Sequence, residues 1–103
     1  MIFQRWSEQL WETIHFLSIQ CDVYKDENTI EFTEYFLNNL YKIMDCEFCK
    51  IHFIDYVQQN PISKPYFEWG LNLRNDINRI NNKPIIELNQ LKLKYETIIN
   101  GYS

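Results

Sequence analysis

The sequence predicts an all-α fold, a four-helix bundle with a shorter fifth helix. Apolar residues recur at helical spacing in five stretches, and no stretch shows the strict alternation of a half-buried strand. A chain of 103 residues has the length of one domain, 1–103, with no repeat, low-complexity tract or flexible linker to divide it. So small a domain leaves much of its surface in water and gains stability from a bound cofactor or a twin subunit.

The first helix is expected from about Arg5 to Gln20, with Trp6, Leu10, Ile14 and Leu17 on one stripe. Cys21-Asp22 and the charged Lys25-Asp26-Glu27 close it. Asn28 or Thr29 then caps a second helix, with Glu31 and Glu34 toward its positive end and Ile30, Leu37, Leu40 and Met44 inward. A third begins near Asp45 or Cys46, carries Phe48, Ile51, Phe53 and Val57, and stops before Pro61, which cannot continue it. Pro65 reads as the first position of a fourth helix, behind Ser63 or Lys64, running through Leu71, Leu73 and Ile77 to about Asn81. Asn81-Asn82-Lys83-Pro84 is a break. The last helix, from about Glu87 to Ile99, sets Leu88, Leu91, Tyr95 and Ile98 along one seam, and Asn100-Gly101 ends it.

Composition narrows the function. Aromatic residues make up 17% of the chain, enough to wall a pocket for a flat ligand, although core packing uses the same rings. A net charge of -4 without a basic stripe argues against a nucleic-acid partner, which Lys and Arg clusters would grip by its phosphates. Arg5 and Glu8 interrupt the N-terminal apolar residues before they can serve as a signal peptide, and no later run is long enough to span a bilayer. The expectation is a soluble protein. The absence of Ala and the heavy use of Asn, Ile, Lys and Tyr reflect A/T-rich coding DNA, which describes a genome and not a function. Three cysteines are too few for a secreted disulfide framework, and the odd count leaves at least one outside any pairing within the monomer.

Three local signals bear on chemistry. Cys46-Glu47-Phe48-Cys49 places two thiols two residues apart at a helix start, within reach of a disulfide once the side chains rotate. Helix N-terminal amides favour thiolate over thiol there, and the thiolate is the species that exchanges disulfides. The same spacing serves thioredoxin-like enzymes, haem attachment and zinc sites. A thioredoxin-like site needs a βαβ setting, haem attachment needs His where Lys50 stands, and zinc needs two further ligands from His15, Cys21 or His52. Two buried cysteines without a role are the remaining alternative. Secondly, Trp11 and His15 lie one helical turn apart on the same side, so that indole and imidazole flank a common space, or simply pack in a core. Thirdly, Asn75 and Asn78 are helix neighbours whose amides face a polar ligand edge, unless the pair merely reflects abundant Asn.

Taken together and in order, these signals resemble the Erv/ALR family of FAD-linked sulfhydryl oxidases, in the short form carried by large DNA viruses. The W-x-x-x-H of the first helix is met by Trp11 and His15, with an earlier Trp6 at the viral spacing; C-x-x-C-x-x-H-F is met by Cys46, Cys49, His52 and Phe53. The fourth-helix H-N-x-V-N ahead of K-P is met by Asn75, Ile77, Asn78, Lys83 and Pro84. The chain departs from the pattern at Arg74, where the family has His, at Met44-Asp45 in place of Tyr-Pro, and at Ser7-Glu8 in place of Gly-Arg. It also has no cysteines for the second, structural disulfide of cellular members.

The resemblance implies a helical bundle holding FAD against a redox-active Cys46–Cys49 disulfide, usually as a homodimer. It implies cofactor contacts from Ser7, Trp11, His15 and His52, and from Arg74, Asn75, Asn78, Lys83 and Tyr95. No metal is implied. A thiol-bearing protein or small disulfide-relay protein would reduce the pair through Cys46, Cys49 would pass electrons to the flavin, and oxygen would leave as hydrogen peroxide. Cys21 is then either a shuttle thiol or a plain one. A viral origin implies a cytoplasmic setting. A zinc-stabilised helical module and a catalytically silent helical adaptor stand as the alternatives.

Overall fold

The computed structural model describes residues 7–44 and 46–101. Five α-helices follow one another: α1 Ser7–Tyr24, α2 Glu27–Asn39, α3 Glu47–Gln59, α4 Tyr66–Ile80 and α5 Leu88–Gly101, with a 3-10 turn at Leu40–Ile43 between α2 and α3. No strand occurs among the described residues. The all-α expectation therefore holds. The last helix, with 14 residues, matches its neighbours in length, since α2 and α3 have 13 each.

The ends of the helices differ from expectation for local reasons. Helix α1 runs through Cys21-Asp22 to Tyr24 and stops where Lys25 turns to a φ of 55°. Its expected start at Arg5, and Trp6 on its stripe, lie outside the described residues, as does Asp45 before α3. The cap of α2 is Asp26, not Asn28 or Thr29: its carboxylate accepts from the backbone N–H and the hydroxyl of Thr29, each at 2.9 Å. Pro65 is the N-cap of α4, not its first helical residue, and it offers no side-chain acceptor.

A residue far away in sequence fills that role. Asp22 on α1 accepts from the N–H groups of Tyr66 and Phe67, both at 2.9 Å, so a negative charge satisfies two orphan amides at the positive end of α4. Asp22→Ala removes both acceptors at once. A loss of about 2 kcal/mol in denaturant-derived stability is expected, because part-buried N–H groups are left unpaired while the core stays intact.

Helices α1 and α4 form the central pair. They approach closely at Gly70, where an added Cβ would meet Ile14 Cγ2 at 3.3 Å. Around them lie two apolar clusters. The larger joins Leu10, Trp11 and Ile14 of α1 to Leu37, Leu40 and Met44, to Phe53 of α3 and to Trp69 and Leu73 of α4. The smaller packs Ile19, Phe67, Tyr95 and Ile99, which fastens α5 to the other end of the central pair. Full burial of a side chain such as Leu37 or Ile14 contributes roughly 1.5–3 kcal/mol.

Helix α3 is the least embedded element. Phe53 is its buried residue, whereas Phe48 and Ile51 stand 67% and 65% exposed. The indole N–H of Trp69 donates to the carbonyl of Asn60 at 2.9 Å, which ties the end of α3 to α4.

Candidate active site

A cavity of about 610 Å³ opens between α1, α3, α4 and the segment that follows α4. Its size is that of a small-molecule or cofactor site. Apolar walls come from Trp11, Phe53, Leu73 and Ile77, with Met44 and Phe48 completing them. The polar groups at its edge are Ser7, Glu8, His52, Arg74, Asn78, Asn81 and Lys83. Cys49 belongs to the lining and Cys46 does not.

The cysteines differ because of where α3 begins. Cys46 is the N-cap of α3, in extended conformation, and its Sγ accepts from the backbone N–H of Cys49 at 3.3 Å. A donor at the positive end of a helix stabilises negative charge on that sulfur. One helical turn later, Cys49 is carried inward against the larger apolar cluster. Both residues are half-buried.

The sequence-predicted cofactor residues separate into two layers. Ser7, Trp11, His52, Arg74, Asn78 and Lys83 line the cavity, while His15, Asn75 and Tyr95 stand behind its wall. Asn75 explains its own absence: its amide donates to the carbonyl of Ile86 and accepts from the N–H of Ile86, both at 2.9 Å. This two-bond clasp fastens the segment carrying Lys83, Pro84 and Ile86 against α4, so Asn75 shapes the cavity without facing it. Asn81 and Ile86 also line the space, and no motif in the sequence marked them; Glu8, which stands where the resembled pattern has Arg, lines it too.

Arg74 is the pivot of the inner layer. Its Nη1 donates to His15 Nε2 at 3.1 Å, its Nη2 reaches Glu8 at 3.4 Å, and its guanidinium carbon lies 5.7 Å from the Trp11 ring centre. An arginine always donates, so His15 Nε2 must accept and the ring proton sits on Nδ1. That Nδ1 is buried with no hydrogen-bond partner among the described residues. Rings crowd His15: Trp11 stacks at 6.1 Å, and Phe67 and Tyr95 tilt against it at 5.3 and 5.4 Å. Burial first, then the positive charges of Arg74 and Lys94, hold the His15 pKa down at about 3.

Cys21 lies apart from all of this. It is 1% exposed, and its thiol donates to Thr33 Oγ1 at 3.3 Å between α1 and α2. Burial pushes this thiol up, with Thr33 opposing only in part. A relay thiol needs accessibility as a thiolate, which Cys21 lacks in this position. No group of three or more His, Cys, Asp and Glu side chains able to hold a metal ion occurs among the described residues. No helix among them is long and apolar enough to cross a membrane.

The cavity fits a flavin dinucleotide on chemical grounds. Aromatic and branched walls suit a flat ring system, and Arg74 and Lys83 supply cations for a pyrophosphate in a chain that is otherwise acidic. Sequence comparisons agree with this chemistry. Over 99 residues the chain is 27% identical to a FAD-linked sulfhydryl oxidase of African swine fever virus, Tick/Malawi isolate, and 26% identical to the protein of the same description from a Pig/Kenya isolate. Each alignment covers 91% of this chain and 82% of the viral protein. No solved structure matches the chain. The sequence profile of the Erv1 / Alr family matches residues 8–96, a span that takes in the cysteine pair, every residue lining the cavity except Ser7, and the break after α4; the chain belongs to that family.

Proposed function

We propose that this chain is a FAD-linked sulfhydryl oxidase, one domain over 1–103, that forms disulfides in thiol-bearing proteins. One observation carries the reading: Cys49 lines the cavity while its partner Cys46 stands outside at the helix cap. Two sulfurs a turn apart, one lining a cofactor-sized space and one outside that lining, are what a relay between a substrate and a bound electron acceptor requires. The African swine fever virus relatives are named for this activity.

Trp11, Phe53, Leu73 and Ile77 would hold the flavin ring, Arg74 and Lys83 the phosphates, and Asn78 a polar edge. FAD, when bound, supplies the acceptor for an electron pair and is restored by oxygen with release of hydrogen peroxide. The protein does the rest. A substrate thiolate attacks Cys46 of the disulfide, and the Sγ of Cys49 leaves with the electron pair. A second substrate thiol then displaces Cys46, which yields oxidised substrate and a reduced pair. The exposed Phe48 and Ile51 beside Cys46 offer an apolar surface to residues flanking the substrate cysteine.

A homodimer belongs to the same reading, supported by the exposed Tyr24, Phe32 and Tyr35 around the α1–α2 end, and sedimentation measures it directly. A cytoplasmic place of action belongs to the same proposal and is tested by fractionation of producing cells. For the central claim, purified protein should stay yellow after desalting, and it should consume oxygen when a dithiol is added. A folded protein that is colourless and takes up no FAD would overturn the reading.

A further inference from the structure

At the edge of the cavity, His52 on α3 and Asp76 on α4 meet with 2.7 Å between Nε2 and Oδ2. Their side chains are 20% and 32% exposed, so water screens the pair only in part. Asp76 occupies a position of α4 between the clasp residue Asn75 and the cavity residue Ile77, and no motif in the sequence singles it out. His52 follows Cys49 by three residues on α3, the spacing that stacks side chains on one helix face, and both residues line the cavity.

We propose that Asp76 is a positioning residue: it holds His52 so that the imidazole takes the proton of the Cys49 thiol and pairs with the resulting thiolate. The inference rests on the thiol-oxidase reading, since only that reading requires Cys49 to carry charge. Asp76 accepts the Nε2–H, which leaves Nδ1 as the basic nitrogen. The S–H bond of Cys49 breaks, the proton moves to Nδ1, and the electron pair stays on Sγ. Asp76 keeps its charge and stabilises the imidazolium, the arrangement by which a third group orients the base of a nucleophile. In the exchange step the sulfur–sulfur bond breaks toward Cys49, and His52, carrying a proton taken from solvent or from the substrate thiol, meets the departing anion.

The charged groups around His52 suit this role. Arg79 lies 3.6 Å from Asp76 Oδ1, and Lys50, next to Cys49 on α3, is drawn to Glu47 at 3.6 Å. Among the charged side chains lining the cavity Arg74 and Lys83 outnumber Glu8, and within α3 the ring of Phe48 turns edge-on to His52 at 6.4 Å.

The test uses reduced, flavin-containing full-length protein and follows iodoacetamide labelling of Cys49 by peptide mass spectrometry at neutral pH. Asp76→Asn and His52→Gln should each slow labelling by about tenfold, the double variant no further, and Asp76→Glu should restore most of the rate. Where the flavin shields Cys49 from the reagent, ultraviolet thiolate absorbance in a Cys21→Ser, Cys46→Ser background reads the same quantity. Labelling or absorbance within twofold of wild type in folded Asp76→Asn protein would overturn the proposal. So would additive losses in the double variant. A colourless protein in which Asp76→Asn still slows labelling would separate failure of the flavin reading from failure of this one.

Discussion

Cys49→Ser is expected to leave the protein folded and yellow while dithiol-dependent oxygen consumption falls by at least about a thousandfold, to the background rate. Serine nearly matches cysteine in volume, and Cys49 is only half-buried against the larger cluster, so the cost in stability should stay below about 1.5 kcal/mol. The cavity keeps its aromatic walls and its cations, which is why the colour survives. What disappears is the thiol that lines the cavity, and no other thiol replaces it. Cys46 stands outside the lining and Cys21 is sealed against Thr33. Stopped-flow absorbance of the flavin after adding dithiol, beside an oxygen electrode, measures both halves. Full activity in the variant would remove Cys49 from the mechanism.

Acid should destabilise the fold through His15. In the folded state its pKa is held at about 3, against 6.5 for an ordinary histidine, because burial and Arg74 both oppose a second proton. The unfolded chain takes up that proton as pH drops through about 6.5, and the folded chain does so only near 3. The neutral ring's contribution is therefore complete above about 6.5 and is lost progressively as pH falls toward 3. Over the whole window the effect is on the order of 5 kcal/mol. Urea titrations at a series of pH values measure it, with His15→Leu as the control. The variant should show a shallower dependence below neutrality, and equal slopes in the two proteins would refute the assignment to His15.

Helical periodicity carried most of the fold into view because it records which face of each segment avoids water, a property local to about two turns. It failed at the caps. Asn28 and Thr29 are plausible caps for α2 by residue type, yet Asp26 wins because its carboxylate reaches both the amide and the hydroxyl of Thr29. The cap of α4 was invisible for a stronger reason: Asp22 supplies it from 44 residues away, and only packing of α1 against α4 brings it there. The exposure of Phe48 and Ile51 was hidden likewise, since nothing in the order of residues says that α3 buries Phe53 alone and leaves Phe48 at the open edge of the cavity and Ile51 bare.

The site divides along the same line. Residue types and spacing determined by themselves that this is a helical protein with a thiol pair at a helix start, and they identified its family through motifs strung along the chain. Three-dimensional packing decided the rest: that Cys49 and not Cys46 meets the cavity, that Asn75 clasps Ile86, that Arg74 bridges Glu8 and His15, and that Asp76 finds His52. The physical reason is range. Backbone propensities and face patterns act over a few residues, whereas a hydrogen bond or a cavity wall depends on which helices lie side by side, and that is settled only when the whole core closes.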